Sequence, residues 1–225
     1  MPSLVVDGSG PGFFAGLLES PKGWSASVFV DGPALENLFP SAERLMAETG
    51  VAPPDVRSFL YCEGPGSVLG LRLCAMAVEV WGRLAGEGAA CFAFNRLALV
   101  AALLRERCPD SAKGLLIADW KKNAWHGRPV WPSGGGAHRC LTDAEVAAWE
   151  GPVFHLPQRK SWQKPPARAR AVEMKGTDAL LLFQRPELLN QTEGVRLNDV
   201  GANTFRKWTP RRHGPADAGS AERAS

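Results

Sequence analysis

The stretch from Ser58 to Trp81 constrains the fold more than any other part of the chain. A short apolar run, Ser58-Phe59-Leu60-Tyr61-Cys62, has the length and composition of a buried strand. It turns through Glu63-Gly64-Pro65-Gly66-Ser67 straight into a helical segment beginning at Val68 that is apolar on nearly every side. A surface helix ordinarily shows one apolar stripe and a broad polar face. Here only Arg72, Glu79 and Arg83 are charged as far as Leu84, and they share a narrow side at helical spacing. Burial on two sides follows, with the parent sheet behind and a second helical surface in front. The pattern predicts a protein built to hold a partner.

The turn itself invites a phosphate-binding reading, because glycines before a helix N-terminus expose backbone N–H groups to anions. It fits neither common template. A P-loop needs Lys-Ser/Thr after its second glycine, whereas Leu71 follows Gly70, and the dinucleotide spacing would need glycine at Leu69. The structural reading is a tight strand-to-helix turn with Ser67 as N-cap and Gly70 allowing close approach of a neighbour. Asp7 and Ser9 after the first strand, and Asp119 on the first strand of a second unit, are the residues able to hold a Mg²⁺-bound phosphate in a two-lobed nucleotide fold. Singly, such acids are also common turn formers. ATP with Mg²⁺ is the one ligand these acids would suit; no intrinsic cofactor and no metal are expected otherwise.

Along the chain, Leu4 to Asp7, Gly12 to Glu19 and Ser25 to Val30 read as a three-strand meander. Leu35, Leu38, Phe39, Ala42, Leu45, Met46 and Thr49 trace one helical face, with Pro40 predicting a kink or a true start near Phe39. Gly50 closes that helix. A strand at Ala90 to Phe94 and a helix at Leu97 to Arg107 complete a β-β-β-α-β-α-β-α first lobe over residues 1–110. A reduced second lobe, 111–210, starts with a strand at Gly114 to Asp119. Its other expected elements are a returning strand at Lys122 to His126, a loop at Pro132 to Gly136, a capped helix from Thr142 to Trp149, and strands at Val153 to Leu156 and Leu180 to Phe183. Residues 211–225 read as a disordered tail. Mixed sheets with helices packed on them are an α/β layer arrangement.

Composition excludes several classes. No window of the 225 residues approaches the roughly 20 apolar residues of a membrane span. The N-terminus lacks a basic lead and an apolar core of the signal-peptide kind, so a cytoplasmic location is expected. Five cysteines without a C-x-x-C pair read as reduced, packed thiols. The four histidines never recur at i and i+4, which excludes a helical H-E-x-x-H zinc pair. Net charge is +3, with an acidic excess up to Pro157 and a basic excess after it. The Gln158 to Arg170 segment, with Trp162, has charge that could touch RNA phosphates, but a solvated loop with scattered charge is the favoured reading.

Glu63-Gly64-Pro65-Gly66-Ser67-Val68-Leu69-Gly70-Leu71-Arg72 resembles the G-P-G-S-F-T-G-L-R signature of the TsaB (YeaZ) family. Asp7-Gly8-Ser9 stands where that family has D-T-S, Glu36 to Pro40 resembles its E-x-L-L-P helix, Asp119 to Trp125 its D-A-R-x-x-E-V-Y segment, and Phe205-Arg206 lies near its terminal Y-L-R. Gly8 replaces Thr, Val68-Leu69 replace Phe-Thr, and Trp120-Lys121-Lys122 depart from A-R-x, which marks a divergent member.

The resemblance implies a two-lobed actin/Hsp70-like (ribonuclease-H-like) fold and a catalytically silent partner of a TsaD-like enzyme. With a TsaE-like ATPase, TsaD transfers threonylcarbamoyl from an adenylate to the adenosine beside the anticodon of tRNA. TsaD enzymes carry a paired-histidine metal motif, and Ala34, Leu35 and their neighbours offer no such pair. The expected partner interface, or homodimer interface in the partner's absence, comprises Leu38, Leu45, Val68, Leu69, Gly70, Leu71, Cys74, Ala77 and Trp81 as half of a four-helix bundle. Transfer RNA is reached through the complex. The rival expectations are a small-molecule kinase using Asp7, Ser9 and Asp119, a glycoprotease, and a free-standing dimerisation or RNA-binding module.

Overall fold

The computed structural model describes residues 1–19, 23–134, 136–157, 163–194 and 197. Its first sheet is built on Ser3–Asp7 (β1), which is buried along its whole length and therefore lies centrally. Gly12–Leu18 (β2) and Ala26–Asp31 (β3) return beside it antiparallel. A helix, Ala34–Thr49 (α1), then leads to Ser58–Gly64 (β4), parallel to β1. Val68–Ala85 (α2) leads in turn to Ala90–Asn95 (β5), parallel to β4. The chain continues through Arg96–Arg107 (α3) into the second sheet.

That sheet repeats the plan. Gly114–Lys121 (β6), Ala124–Val130 (β7) and Arg139–Thr142 (β8) form an antiparallel meander. After the short helix Asp143–Ala147 (α4), Val153–His155 (β9) lies parallel to β6, and Arg170–Ala171 (β10) lies parallel to β9. The strand orders β5-β4-β1-β2-β3 and β10-β9-β6-β7-β8 are thus the same meander-plus-parallel order written twice. Two such mixed sheets flanked by helices are the duplicated α/β architecture of the actin/Hsp70-like class.

Alternation along the strands decides what packs where, since successive side chains point to opposite faces. Leu4 and Val6 of β1 pack with Leu38, Ala42 and Leu45 of α1 and with Cys74, Val78 and Trp81 of α2. Val5, Leu60 and Phe94 face the other way, onto Leu99, Ala102 and Leu103 of α3. The opposite side of α3, Leu97, Val100, Ala101 and Leu104, packs on Leu116, Val130 and Phe154 of the second sheet. Burial on two sides by the chain's own sheets therefore belongs to α3. For α2 only the inner side is covered.

Several expectations are corrected. α1 begins at Ala34, directly after Pro33, and runs through Pro40. Pro40 is on the exposed side, where solvent satisfies the carbonyl that loses its partner, while Leu38, Ala42 and Leu45 anchor the inner side. The returning strand starts at Ala124 because Lys122-Asn123 makes the turn, with Asn123 at φ 59°. The helix expected to reach Trp149 ends at Ala147, but its capping box is present: Thr142 Oγ1 accepts from the Glu145 N–H at 3.2 Å and Glu145 accepts from the Thr142 N–H at 2.7 Å.

Leu180 to Phe183, expected as a strand, is helical. A 3₁₀ turn over Gly176–Leu180 runs into Leu181–Gln184 (α5), which seats Leu181 and Leu182 on the α3 side of the first sheet. A continuous apolar run of four carries no period to distinguish the two states. The chain then returns to the first lobe: Leu189–Thr192 (β11) pairs antiparallel with β5 and closes that sheet's edge. Residues 111–210 are thus not one sequential lobe. The 211–225 tail, Phe205-Arg206 and Trp162 lie outside the described residues.

Candidate functional site

The N-terminus of α2 sits directly on the turn that follows β1. Ser67 caps the helix as expected, its Oγ accepting from the Gly70 N–H at 3.4 Å, and the Ser67 N–H donates to the Ser9 carbonyl at 2.9 Å. Gly70 is needed for this approach, because a Cβ there would overlap the carbonyl oxygen of Gly8. Gly8 is under the same pressure: its Cβ would lie 2.8 Å from the Ala34 Cβ and 3.0 Å from the Cys74 Sγ. A Cβ on Gly66 would meet the Ser9 carbonyl oxygen at 2.6 Å. The two turns therefore occupy each other's space, and Gly8 stands where a threonine side chain would not fit.

Of the residues expected to meet a nucleotide, Asp7 and Ser9 lie together. The Ser9 N–H donates to Asp7 Oδ1 at 2.8 Å, and Arg96 Nη1 donates to Ser9 Oγ at 2.6 Å. Asp119 is buried in β6. A cavity of about 560 Å³ opens where the lobes meet, lined by Asp7, Gly10, Gly12, Phe14, Phe29, Arg96, Pro157 and the 173–177 segment. Neither Ser9 nor Asp119 lines it, so the three residues do not converge on one cavity.

The helical surface divides sharply. Leu38, Leu45, Gly70, Leu71, Cys74, Ala77 and Trp81 are buried within the subunit and are corrected from interface to core, because a docking partner cannot touch a covered side chain. Val68 and Leu69 are exposed, as a contact surface requires. Leu35 and Phe39 of α1 and Met76, Val80 and Leu84 of α2 join them, all seven between 54% and 64% exposed. Positions 68, 76, 80 and 84 follow the four-residue spacing of one stripe. Phe39 meets Trp81 edge-on at 6.1 Å between ring centroids, which brings the α1 and α2 stripes side by side. Charge within and beside the stripes comes from Arg72, from Glu36 and Glu43 of α1, and from the Glu79–Arg83 and Arg44–Glu48 pairs. Contiguous apolar surface of this kind marks interaction sites. For α2 the sequence held the signal: its outward residues are the apolar ones that interleave with the core-facing set.

The thiols nearest the α2 N-terminus are inert by environment. Burial, then the Asp7 carboxylate, pushes the Cys74 thiol up to about 12, and burial followed by Asp7 holds Cys62 well above the ordinary thiol range despite Arg96. Because the folded-state value of Cys74 is raised, its contribution to stability is full below about pH 9 and is lost as pH climbs toward 12, at about 1.4 kcal/mol per unit. Native protein at pH 8 should leave Cys62 and Cys74 unmodified by iodoacetamide while urea-unfolded protein is alkylated at both, as read by peptide mass spectrometry. Rapid labelling of Cys74 in the native chain would contradict the packing described.

Among the described residues no helix is long and apolar enough to cross a membrane, and no group of three or more His, Cys, Asp or Glu side chains is placed to hold a metal. No protein-family model and no curated protein matches the chain. Solved structures do. One is YeaZ from Pseudomonas aeruginosa, 20% identical over 83% of this chain and 93% of that one, with a TM-score of 0.59. Another is described as an uncharacterized protein with similarity to peptidase YeaZ from Pseudomonas aeruginosa, 21% identical over 81% of this chain and 89% of that one, also at 0.59. With the duplicated strand order and the glycine-tight junction of α2 with the β1 turn, these likenesses establish that the chain has the YeaZ fold.

Proposed function

We propose that this protein is a divergent TsaB-like subunit without catalysis of its own, which binds and supports a TsaD-like enzyme in threonylcarbamoyl modification of tRNA adenosine. One observation carries the reading: the unpaired apolar face of Leu35, Phe39, Val68, Leu69, Met76, Val80 and Leu84, spread over two adjacent helices. Two such helices supply half of a four-helix bundle, and the equivalent pair on a partner completes it. The Gly64-Pro65-Gly66-Ser67 signature supports the family reading, since it builds the turn that starts α2 and fixes this face. A second copy of the chain takes the same face when the partner is missing. The TsaE-like ATPase and tRNA join through the catalytic subunit.

Complementation of a TsaB-depleted bacterium tests the role, with threonylcarbamoyl adenosine measured by mass spectrometry of digested tRNA. The unaltered chain should restore the modified nucleoside. The Met76→Glu, Val80→Arg double variant, changed only at exposed positions, should lower it about tenfold or more. Failure of the unaltered chain, or full rescue by the double variant, would defeat the proposal.

A further inference from the structure

The cavity between the lobes contains two opposite charges that do not neutralise each other. Asp7 is 6% exposed and Arg96 8% exposed, yet no Arg96 nitrogen comes within 4.0 Å of an Asp7 oxygen or of any other described carboxylate. Ser9 stands between them, its N–H bonded to Asp7 Oδ1 and its Oγ to Arg96 Nη1. These are the only hydrogen bonds that the two charged side chains make among the described residues. Arg96 Nε is sealed from solvent without a partner, and both residues line the cavity. A buried charge left unpaired costs several kcal/mol, far more than one neutral hydrogen bond returns. A folding argument alone would bring Asp7 and Arg96 into direct contact. They are instead held apart with a cavity of about 560 Å³ before them, within the range of small-molecule sites.

We infer that this cavity binds a small zwitterion, an α-amino acid with an apolar side chain, its ammonium on Asp7 and its carboxylate on the Arg96 guanidinium. Arg96 offers planar donors suited to a carboxylate, and Asp7 keeps Oδ2 for an ammonium N–H. Phe14, Phe29 and Met174 supply apolar wall for the side chain. The glycines keep the space open: a Cβ on Gly10 would meet Arg96 Nη1 at 2.9 Å. Glu173 and Lys175 at the rim add one charge of each sign, so a polyanion would face two carboxylates with no compensating excess of cations. This inference goes beyond the scaffold role and does not depend on it, since the cavity does not include the exposed α1 and α2 stripe.

Titration calorimetry of the full chain with L-leucine, L-methionine and L-phenylalanine tests it. Two analogues of leucine, isopentylamine without the carboxylate and 4-methylpentanoate without the ammonium, serve as comparators. At least one amino acid should bind, and each singly charged analogue should bind about tenfold more weakly or worse. Arg96→Gln should abolish the preference over the amine, and Asp7→Asn the preference over the acid. Ser27→Trp, at an exposed position on the cavity wall, should block binding with an unchanged melting temperature, so the test survives if either buried variant fails to fold. No binding of any amino acid up to about 10 mM, equal binding of a singly charged analogue, or Mg²⁺-ATP binding that displaces the amino acid would each overturn it.

Discussion

Leu71→Glu should remove most of the stability of the fold, while Val80→Glu on the same helix should melt within a few degrees of the unaltered chain. Leu71 is 6% exposed and packs with the Val5, Leu60, Cys62 and Phe94 group, whereas Val80 is 54% exposed. Replacing Leu71 forfeits about 2 kcal/mol of apolar burial and forces a carboxylate into a covered, apolar site, costing several kcal/mol more even if the acid protonates. A domain of this size has about 5–15 kcal/mol in total. The Val80 change touches water and belongs with surface substitutions, typically within about 0.5 kcal/mol. Urea denaturation followed by tryptophan fluorescence reads both. Equal stability of the two variants would mean that the inner and outer sides of α2 are misassigned.

Gly70→Val should be nearly as damaging, for a different reason. The obstacle is the backbone of Gly8, whose carbonyl carbon would lie 3.1 Å from the new Cβ and whose oxygen would overlap it. A flexible side chain can turn away, but this carbonyl is fixed in the turn that follows β1. Relief requires α2 to lift from the sheet, which would loosen Cys74 and Val78 as well. Overpacking costs typically about 1–3 kcal/mol and more against fixed backbone, which for a chain of this length lowers the melting temperature by about 10 °C. Gly23→Ala, where a Cβ meets open space, is the matched control and should change little. A Gly70→Val protein that melts with the control would show that the close approach does not exist.

These contrasts explain how much the sequence revealed. The strand-turn-helix from Ser58, its Ser67 cap, the first meander and the capping box at Thr142 were legible because each rests on local chemistry: a run of apolar residues, a hydroxyl at the right offset, a glycine at a turn. The exposed apolar face was legible only as a helix with more apolar surface than one sheet can cover. Which half lay inward was not, since Leu71 and Val80 are both aliphatic and only the position of β1 distinguishes them. The return of Leu189–Thr192 to the first sheet was also hidden, because Leu-Asn-Gln-Thr shows little alternation and its pairing with β5 is non-local. The Asp7, Ser9 and Arg96 group joins residues far apart in sequence. The sequence reading singled out the first two, for a nucleotide, and did not name Arg96, which carries no motif and is marked only by its place ahead of the apolar run Leu97 to Leu104.

The central claim is that the outer stripe of α1 and α2 docks a TsaD-like enzyme. Its most direct test is the equilibrium affinity between the purified chain and the TsaD-like protein of the same cell, compared with Met76→Glu, Val80→Arg, whose melting temperature should match. The account predicts measurable binding for the unaltered chain and a loss of about a hundredfold or more for the variant, since a central apolar contact is replaced by a hydrated Glu–Arg pair that docking would have to strip of water. Undiminished affinity in the folded double variant would contradict it and place the partner elsewhere on the molecule.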